Sequence, residues 1–168
     1  MRLDLRKIIH VPGASAPFEF QMDLTDLEFF GARPITRPIQ VQGKVTNRAG
    51  ALVLEGTAST VLDLHCDRCC KPYSMEKSVP LDTLLATELE DEENEDEIFL
   101  LDGDEADLDE VASTAFILGM DTKNLCSEDC KGLCSRCGAD LNLGPCDCKP
   151  EVDPRLAALA QLLDDKAE

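Results

Sequence analysis

Six cysteines crowd the 23 residues from Cys126 to Cys148, in the order Cys126-x3-Cys130-x3-Cys134-x2-Cys137-x8-Cys146-x-Cys148. A segment with so few large apolar side chains cannot bury a core of its own, so cross-links or metal must organise it. Met1 to His10 carries Arg2, Arg6 and Lys7 among apolar residues, and no apolar run of signal-peptide length follows. The sequence therefore predicts a chain that is not exported and whose thiols stay reduced. Clustered reduced thiols are metal ligands or catalytic groups more often than disulfides. A total of nine cysteines also leaves one unpaired in any disulfide scheme.

Zinc takes four soft ligands in a tetrahedron, and a Cys-x-x-Cys turn offers two sulfurs to one ion while its backbone N–H groups point at them. Gly138 follows Cys137 where such a turn favours positive φ. Cys134, Cys137, Cys146 and Cys148 make the simplest closed site, with Cys126 and Cys130 as alternates. One structural zinc per chain is the expectation, because a closed tetrathiolate has no open position for catalysis. Cys66-x-x-Cys69, with Cys70 adjacent, is half a site. Alone it reads first as a turn holding two small buried side chains, then as a zinc knuckle completed by distant ligands, and last as a redox pair, for which the βαβ context is missing. His10 and His65 are the only imidazoles, and neither sits in a catalytic pattern.

The formal charge of −18 disfavours an ordinary basic nucleic-acid binder, since Lys and Arg contacts supply most non-specific affinity. It is unevenly spread: +1 over Met1 to Pro80, −15 over Leu81 to Glu110, and −4 over Val111 to Glu168. The densest stretch, Glu88 to Glu97, reads as a solvated, mobile loop. It reads alternatively as an acidic arm for a basic partner such as a ribosomal protein. At 4% aromatic residues the chain has little material for a base-stacking platform, and its six Phe are expected in the core. Ala115 to Met120 is far short of the roughly 20 apolar residues of a membrane-spanning helix, so no membrane insertion is expected.

Period-2 alternation marks strands at Leu3, Leu5 and Ile9, at Phe18 to Leu24, at Ile39 to Val45, and at Leu52 to Leu64 after the turn Asn47-Arg48-Ala49-Gly50. Gly43 and Gly56 suggest bulges or strong bending. A further strand is expected at Tyr73, Met75 and Val79. Leu108, Val111, Ala112, Ala115 and Phe116 recur at helical spacing behind Asp107 as N-cap. Asp153-Pro154 opens a short amphipathic helix with Leu156, Leu159, Ala160 and Leu163 on one stripe. The fold class expected is α+β, a curled, barrel-like antiparallel sheet closed by a helix, with a Cys-rich zinc-binding tail and a short C-terminal helix. The body spans residues 1–120, with an acidic mobile loop at about 88–106. The Cys-rich segment spans 121–150 and the C-terminal helix 151–168.

The runs LDLHCDRCCKPY at Leu62 to Tyr73, CKGLCSRCGADLN at Cys130 to Asn142, CDC at Cys146 to Cys148 and DPRLAAL at Asp153 to Leu159 resemble the YceD family of large ribosomal RNA subunit accumulation proteins. Cys66 and Cys69 match that family's recurrent pair, while the Cys-rich tail matches only part of the family. The resemblance implies a cytoplasmic, non-catalytic factor supporting large-subunit rRNA accumulation. Its partners would be that rRNA or its precursor particle, with no membrane and no small-molecule substrate. Two rivals are a ribosomal-protein chaperone acting through the acidic loop, and a thiol redox protein using Cys66 and Cys69. Contact with RNA or a partner is expected at Arg68 first, with Lys71 and Lys77. Arg2, Arg6, Lys7, Arg33, Arg37, Lys44 and Arg48 are further candidates for a basic face.

Overall fold

The computed structural model describes residues 1–87 and 98–148. Its elements are β1 (Arg2–Asp4), α1 (Arg6–Ile9), β2 (Ser15–Met22), β3 (Ile39–Arg48), β4 (Ala51–His65), β5 (Pro72–Ala86), β6 (Ile98–Leu100), β7 (Glu105–Asp107) and α2 (Leu108–Leu118). The segment Glu88 to Glu97 and the expected helix over 151–168 lie outside the described residues.

Alternation in sequence becomes alternation in burial. Ile39, Val41 and Val45 of β3, with Leu54, Ala58 and Leu62 of β4, are each no more than 1% exposed. Cross-strand pairs align them, Val41 opposite Ala58 and Val45 opposite Leu54. The strand order is β2-β3-β4-β5-β6, with the first three pairings antiparallel. Leu108, Val111, Ala112 and Phe116 of α2 are buried in the same core as Ile8 of α1 and Ile35 of the loop between β2 and β3. That loop is tied to β4 through the bridge of Ile35 with Leu62. Asn47, 1% exposed, donates from Nδ2 to the carbonyls of Ile8 and Ile9 at 2.8 and 2.7 Å. Its Oδ1 accepts from Gly50 N at 2.8 Å, so one side chain holds both the hairpin turn and the end of α1.

The expected barrel-like closure is not found, and the body is mostly sheet. Among the described residues the helices are four and eleven residues long. The five-stranded sheet stays open because the far edge of β5 is taken by three-residue β6, which runs parallel to it, and never returns to β2. β1 pairs instead with β7 in a separate two-stranded sheet. The strand read through Leu3, Leu5 and Ile9 breaks after Asp4, whose carboxylate accepts the backbone N–H of Arg6 at 3.0 Å as α1 begins. Gly43 and Gly56 make no bulge; they face each other in an unbroken ladder. Residues 98–106, read as the end of an acidic loop, supply β6, the buried Leu101 and the start of β7.

Candidate functional site

β4 and β5 form the longest hairpin, paired from Leu52 opposite Leu85 to His65 opposite Pro72. Its tip is the turn Cys66-Asp67-Arg68-Cys69-Cys70-Lys71. The chain leaving α2 returns to this tip and runs across it. Asp67 N donates to the Asn124 carbonyl at 2.8 Å, and Asn124 N donates to Asp67 Oδ2 at 2.6 Å. Leu133 N donates to the Arg68 carbonyl at 3.0 Å. Gly132, at φ +78°, allows the approach: a Cβ there would stand 2.9 Å from the Arg68 carbonyl oxygen.

This route gathers two sets of four sulfurs, Cys66, Cys69, Cys126 and Cys130, then Cys134, Cys137, Cys146 and Cys148; within each set all sulfurs lie within 4.8 Å of one another. Each set can hold a metal ion. In the first, Cys66 Sγ is 3.7 Å from Cys130 Sγ, and Cys69 Sγ is 3.6 Å from Cys126 Sγ. Zinc–sulfur bonds of about 2.3 Å put tetrahedral sulfurs about 3.8 Å apart, whereas a disulfide needs about 2.05 Å. The spacing is that of co-ligands. The second set is the one the sequence reading favours for zinc. Cys126 and Cys130, its alternates, stand instead beside Cys66 and Cys69.

Four thiols this close cannot all ionise without a cation. Backbone N–H groups of Cys137 and Arg136 hold the Cys134 thiol down to about 6. Hydrogen bonding to Cys137 together with burial pushes Cys148 up to about 12. In the first set the Cys126 N–H leads in holding Cys66 down to about 6, while hydrogen bonds to the Cys69 and Cys66 sulfurs push Cys126 up to about 12. A divalent soft metal would remove that conflict in both sets, since thiolates are its ligands.

The three cations expected to face RNA or a partner all have partners within the chain. Arg68 Nη1 donates to the Cys130 and Glu128 carbonyls at 2.7 and 3.3 Å. Lys71 Nζ lies 2.6 Å from Asp140 Oδ2, and Lys77 Nζ lies 2.8 Å from Asp121 Oδ2. Arg68 and Lys71 remain exposed at the tip. The Lys77 side chain is only 14% exposed and shares strand parity with buried Val79 and Leu81.

Sequence reasoning missed Phe30. Phe29 and Ala32 exchange backbone hydrogen bonds at 2.8 and 2.9 Å, so Phe30 and Gly31 form a two-residue hairpin turn with φ of +51° and +81°. Both central residues at positive φ is the pattern of a type I′ turn, where a bulky side chain is unusual. Phe30 is 84% exposed there. Phe29 and Phe30 share a groove with His65, Asp67 and Asn124, so this turn and the Cys66 turn occupy one end of the molecule. The signal in the sequence was an aromatic residue directly before glycine, followed by Arg33.

A family model described as large ribosomal RNA subunit accumulation protein YceD matches residues 54–163. The chain is 31% identical to a Zea mays protein named "Large ribosomal RNA subunit accumulation protein YCED homolog 1, chloroplastic", over 74% of this chain and 53% of the maize protein. It is 27% identical to the uncharacterized protein YlbN of Bacillus subtilis, over 97% of this chain and 96% of that one. An uncharacterized protein of Mycobacterium tuberculosis is 27% identical over 74% of this chain, which spans 62% of that protein's length. The chain thus spans about half of the maize relative. No solved structure matches. Among the described residues no helix is long and apolar enough to cross a membrane.

Proposed function

Since the chain belongs to the YceD family, we propose that it is a non-catalytic cytoplasmic factor that supports accumulation of large-subunit rRNA by binding that RNA or its precursor particle. The observation that carries the reading is the extent of the family match, which runs through β4, the Cys66 turn, α2 and the whole cysteine-rich segment. The binding surface we assign is the end of the molecule where the Phe30 turn and the Cys66 turn share a groove. An exposed aromatic ring, with Arg33 three residues on in sequence, suits an unstacked base, the feature by which proteins read single-stranded RNA. Arg68 and Lys71 border the same end; Arg68 supplies positive charge there, while that of Lys71 is matched by Asp140. Lys77 serves the fold through Asp121. A structural zinc at Cys134, Cys137, Cys146 and Cys148 keeps the segment facing this surface in shape.

Burial counts against thiol exchange at Cys66 and Cys69, which are 1% and 4% exposed. The test is a cell whose own copy is replaced by the Phe30→Ala, Arg33→Ala variant. Large-subunit rRNA should fall while protein level and thermal transition stay unchanged. In RNA binding by the purified chain, loss of Arg33 should lower the salt slope by roughly one phosphate's worth. Normal rRNA in that variant, with a fall when Glu88 to Glu97 is neutralised, would replace this reading with chaperoning of a basic ribosomal protein.

A further inference from the structure

The two Cys-x-x-Cys turns have the same construction. In Cys134-Ser135-Arg136-Cys137-Gly138, Gly138 N donates to the Cys134 carbonyl at 2.9 Å and Cys134 N donates to the Ala139 carbonyl at 2.8 Å. In Cys66-Asp67-Arg68-Cys69-Cys70, Cys70 N donates to the Cys66 carbonyl at 2.8 Å and Cys66 N donates to the Lys71 carbonyl at 3.0 Å. The residue after the second cysteine is left-handed in both, Gly138 at φ +71° and Cys70 at φ +59°. In both, the backbone N–H groups of the arginine and of the second cysteine point at the first sulfur. This is the wrapping that orients a thiolate toward a metal.

The turns differ in what completes them. The Cys134 turn is closed by Cys146 and Cys148 of the same segment, whereas the Cys66 turn is closed by Cys126 and Cys130, and its sulfur pairs are 64 and 57 residues apart in sequence. The Cys66 set is also the drier. Cys66, Cys69 and Cys130 are 1%, 4% and 4% exposed and pack with Tyr73 and Leu125. Asn142 Nδ2 reaches Cys130 Sγ at 3.5 Å, a further donor aimed at the cluster. Lys71 is paired first with Asp140 at 2.6 Å and also lies close enough for the charge of Cys69 and Cys126 to bear on it.

From the repeated turn and the co-ligand sulfur spacing, we infer that Cys66, Cys69, Cys126 and Cys130 form a second zinc centre, which clamps the cysteine-rich segment to the tip of the β4–β5 hairpin. Binding releases the protons of the protonated thiols to solvent and changes no oxidation state. The centre is closed, so it is an anchor and has no position for substrate. Each zinc has a different structural consequence. The Cys134 set shapes a local loop, while the Cys66 set sets where that loop sits on the body.

Metal counting on the full chain tests this. Protein made with zinc available and purified without chelator should carry two zinc per chain, and the metal-free chain should take up two cobalt ions with the visible absorption of tetrahedral cobalt thiolate. Cys126→Ser should lower both counts to one and leave the sheet's thermal transition in place. Cys134→Ser should also lower them to one, but without freeing Asn124 and Leu133 to fast amide exchange, as Cys126→Ser should. A count of one in the unaltered chain would overturn the second centre. A count of two that Cys126→Ser leaves unchanged would do the same. Because the unaltered chain is counted directly, a variant that fails to fold does not shelter the inference.

Discussion

At Gly43 a hydrogen atom stands where any other residue would place a methyl group. A Cβ there would come within 2.4 Å of the Glu55 carbonyl oxygen and 2.7 Å of both Gly56 Cα and the Phe18 ring. Two of these neighbours are backbone of the paired strand, so relief would require β3 and β4 to separate. Gly43→Ala should therefore destabilise the fold by about 1–3 kcal/mol, the usual cost of overpacking, read as a lower denaturant midpoint with an unchanged slope. The opposite change is expected at Cys70. It holds φ +59°, where an L-residue is strained by roughly 1 kcal/mol and glycine is not. Cys70→Gly should stabilise the fold by up to about 1 kcal/mol, read as a higher denaturant midpoint, and leave metal content untouched; loss of metal would show that Cys70 is a ligand. Both glycines of the ladder were legible in the sequence as exceptions, but not what they accommodate. A missing side chain signals close approach without saying whether a bulge or a neighbouring ring is approaching.

Elements were legible in proportion to how local their causes are. Asp107 reads as an N-cap and is one: its Oδ1 accepts from Asp109 N and Glu110 N at 3.1 and 3.4 Å. Asp107→Ala should cost about 1 kcal/mol, and thermal melts at neutral pH would show it; no change would mean that core packing alone fixes the start of α2. Packing does carry the other end. Phe116 is fully buried, and Phe116→Ala should cost about 3–5 kcal/mol, a large share of an ordinary total stability, read as a much lower thermal midpoint. The long antiparallel strands were readable because each alternates against one buried face. The closure of the sheet was not, since it depends on which strand meets each edge. Three residues of β6 pair parallel with Leu84 to Ala86, and no periodicity fits into so short a strand. β7 was hidden for the same reason, and β1, read as part of a longer strand, gave no sign of its partner, since their pairing spans Arg2 to Asp107. The two Cys-x-x-Cys turns follow the same division. Cys134 and Cys137 could be assigned together from spacing, whereas the partners of Cys66 and Cys69 lie across a distance in sequence at which spacing carries no information.

On the scale of the whole molecule, the sheet and the cysteine-rich segment are held by different forces. The core cluster of buried side chains draws on β2, β3, β4, β5, α1 and α2, and contains nothing beyond Phe116 in sequence among its fully buried members. Residues 121–148 contribute one buried side chain, Cys130, with Leu125 packed beside it. Burial on that scale cannot offset the ordering of such a stretch, at roughly 1–2 kcal/mol per residue for the backbone alone. The remaining attachments are the hydrogen bonds at Asp67 and Arg68, including those of the Arg68 guanidinium to the Cys130 and Glu128 carbonyls, the ion pairs of Lys71 with Asp140 and Lys77 with Asp121, and the sulfurs. Each ion pair has one partner about half open to solvent, so its contribution is modest. The sulfurs and whatever they bind must then supply most of what keeps the segment in place, and the sheet should not need them. Chelation of the full chain is the discriminating experiment, followed by hydrogen exchange read by mass spectrometry. Amides from Asn124 to Cys148 should lose protection within seconds, while those of β3 and β4 keep theirs, and restored zinc should recover the first group. If β3 and β4 lose protection together with the segment, the sheet depends on the metal-bound part, and the division of forces between the two is wrong. If chelation changes neither, the hydrogen bonds at Asp67 and Arg68 suffice, and metal is not what orders this segment.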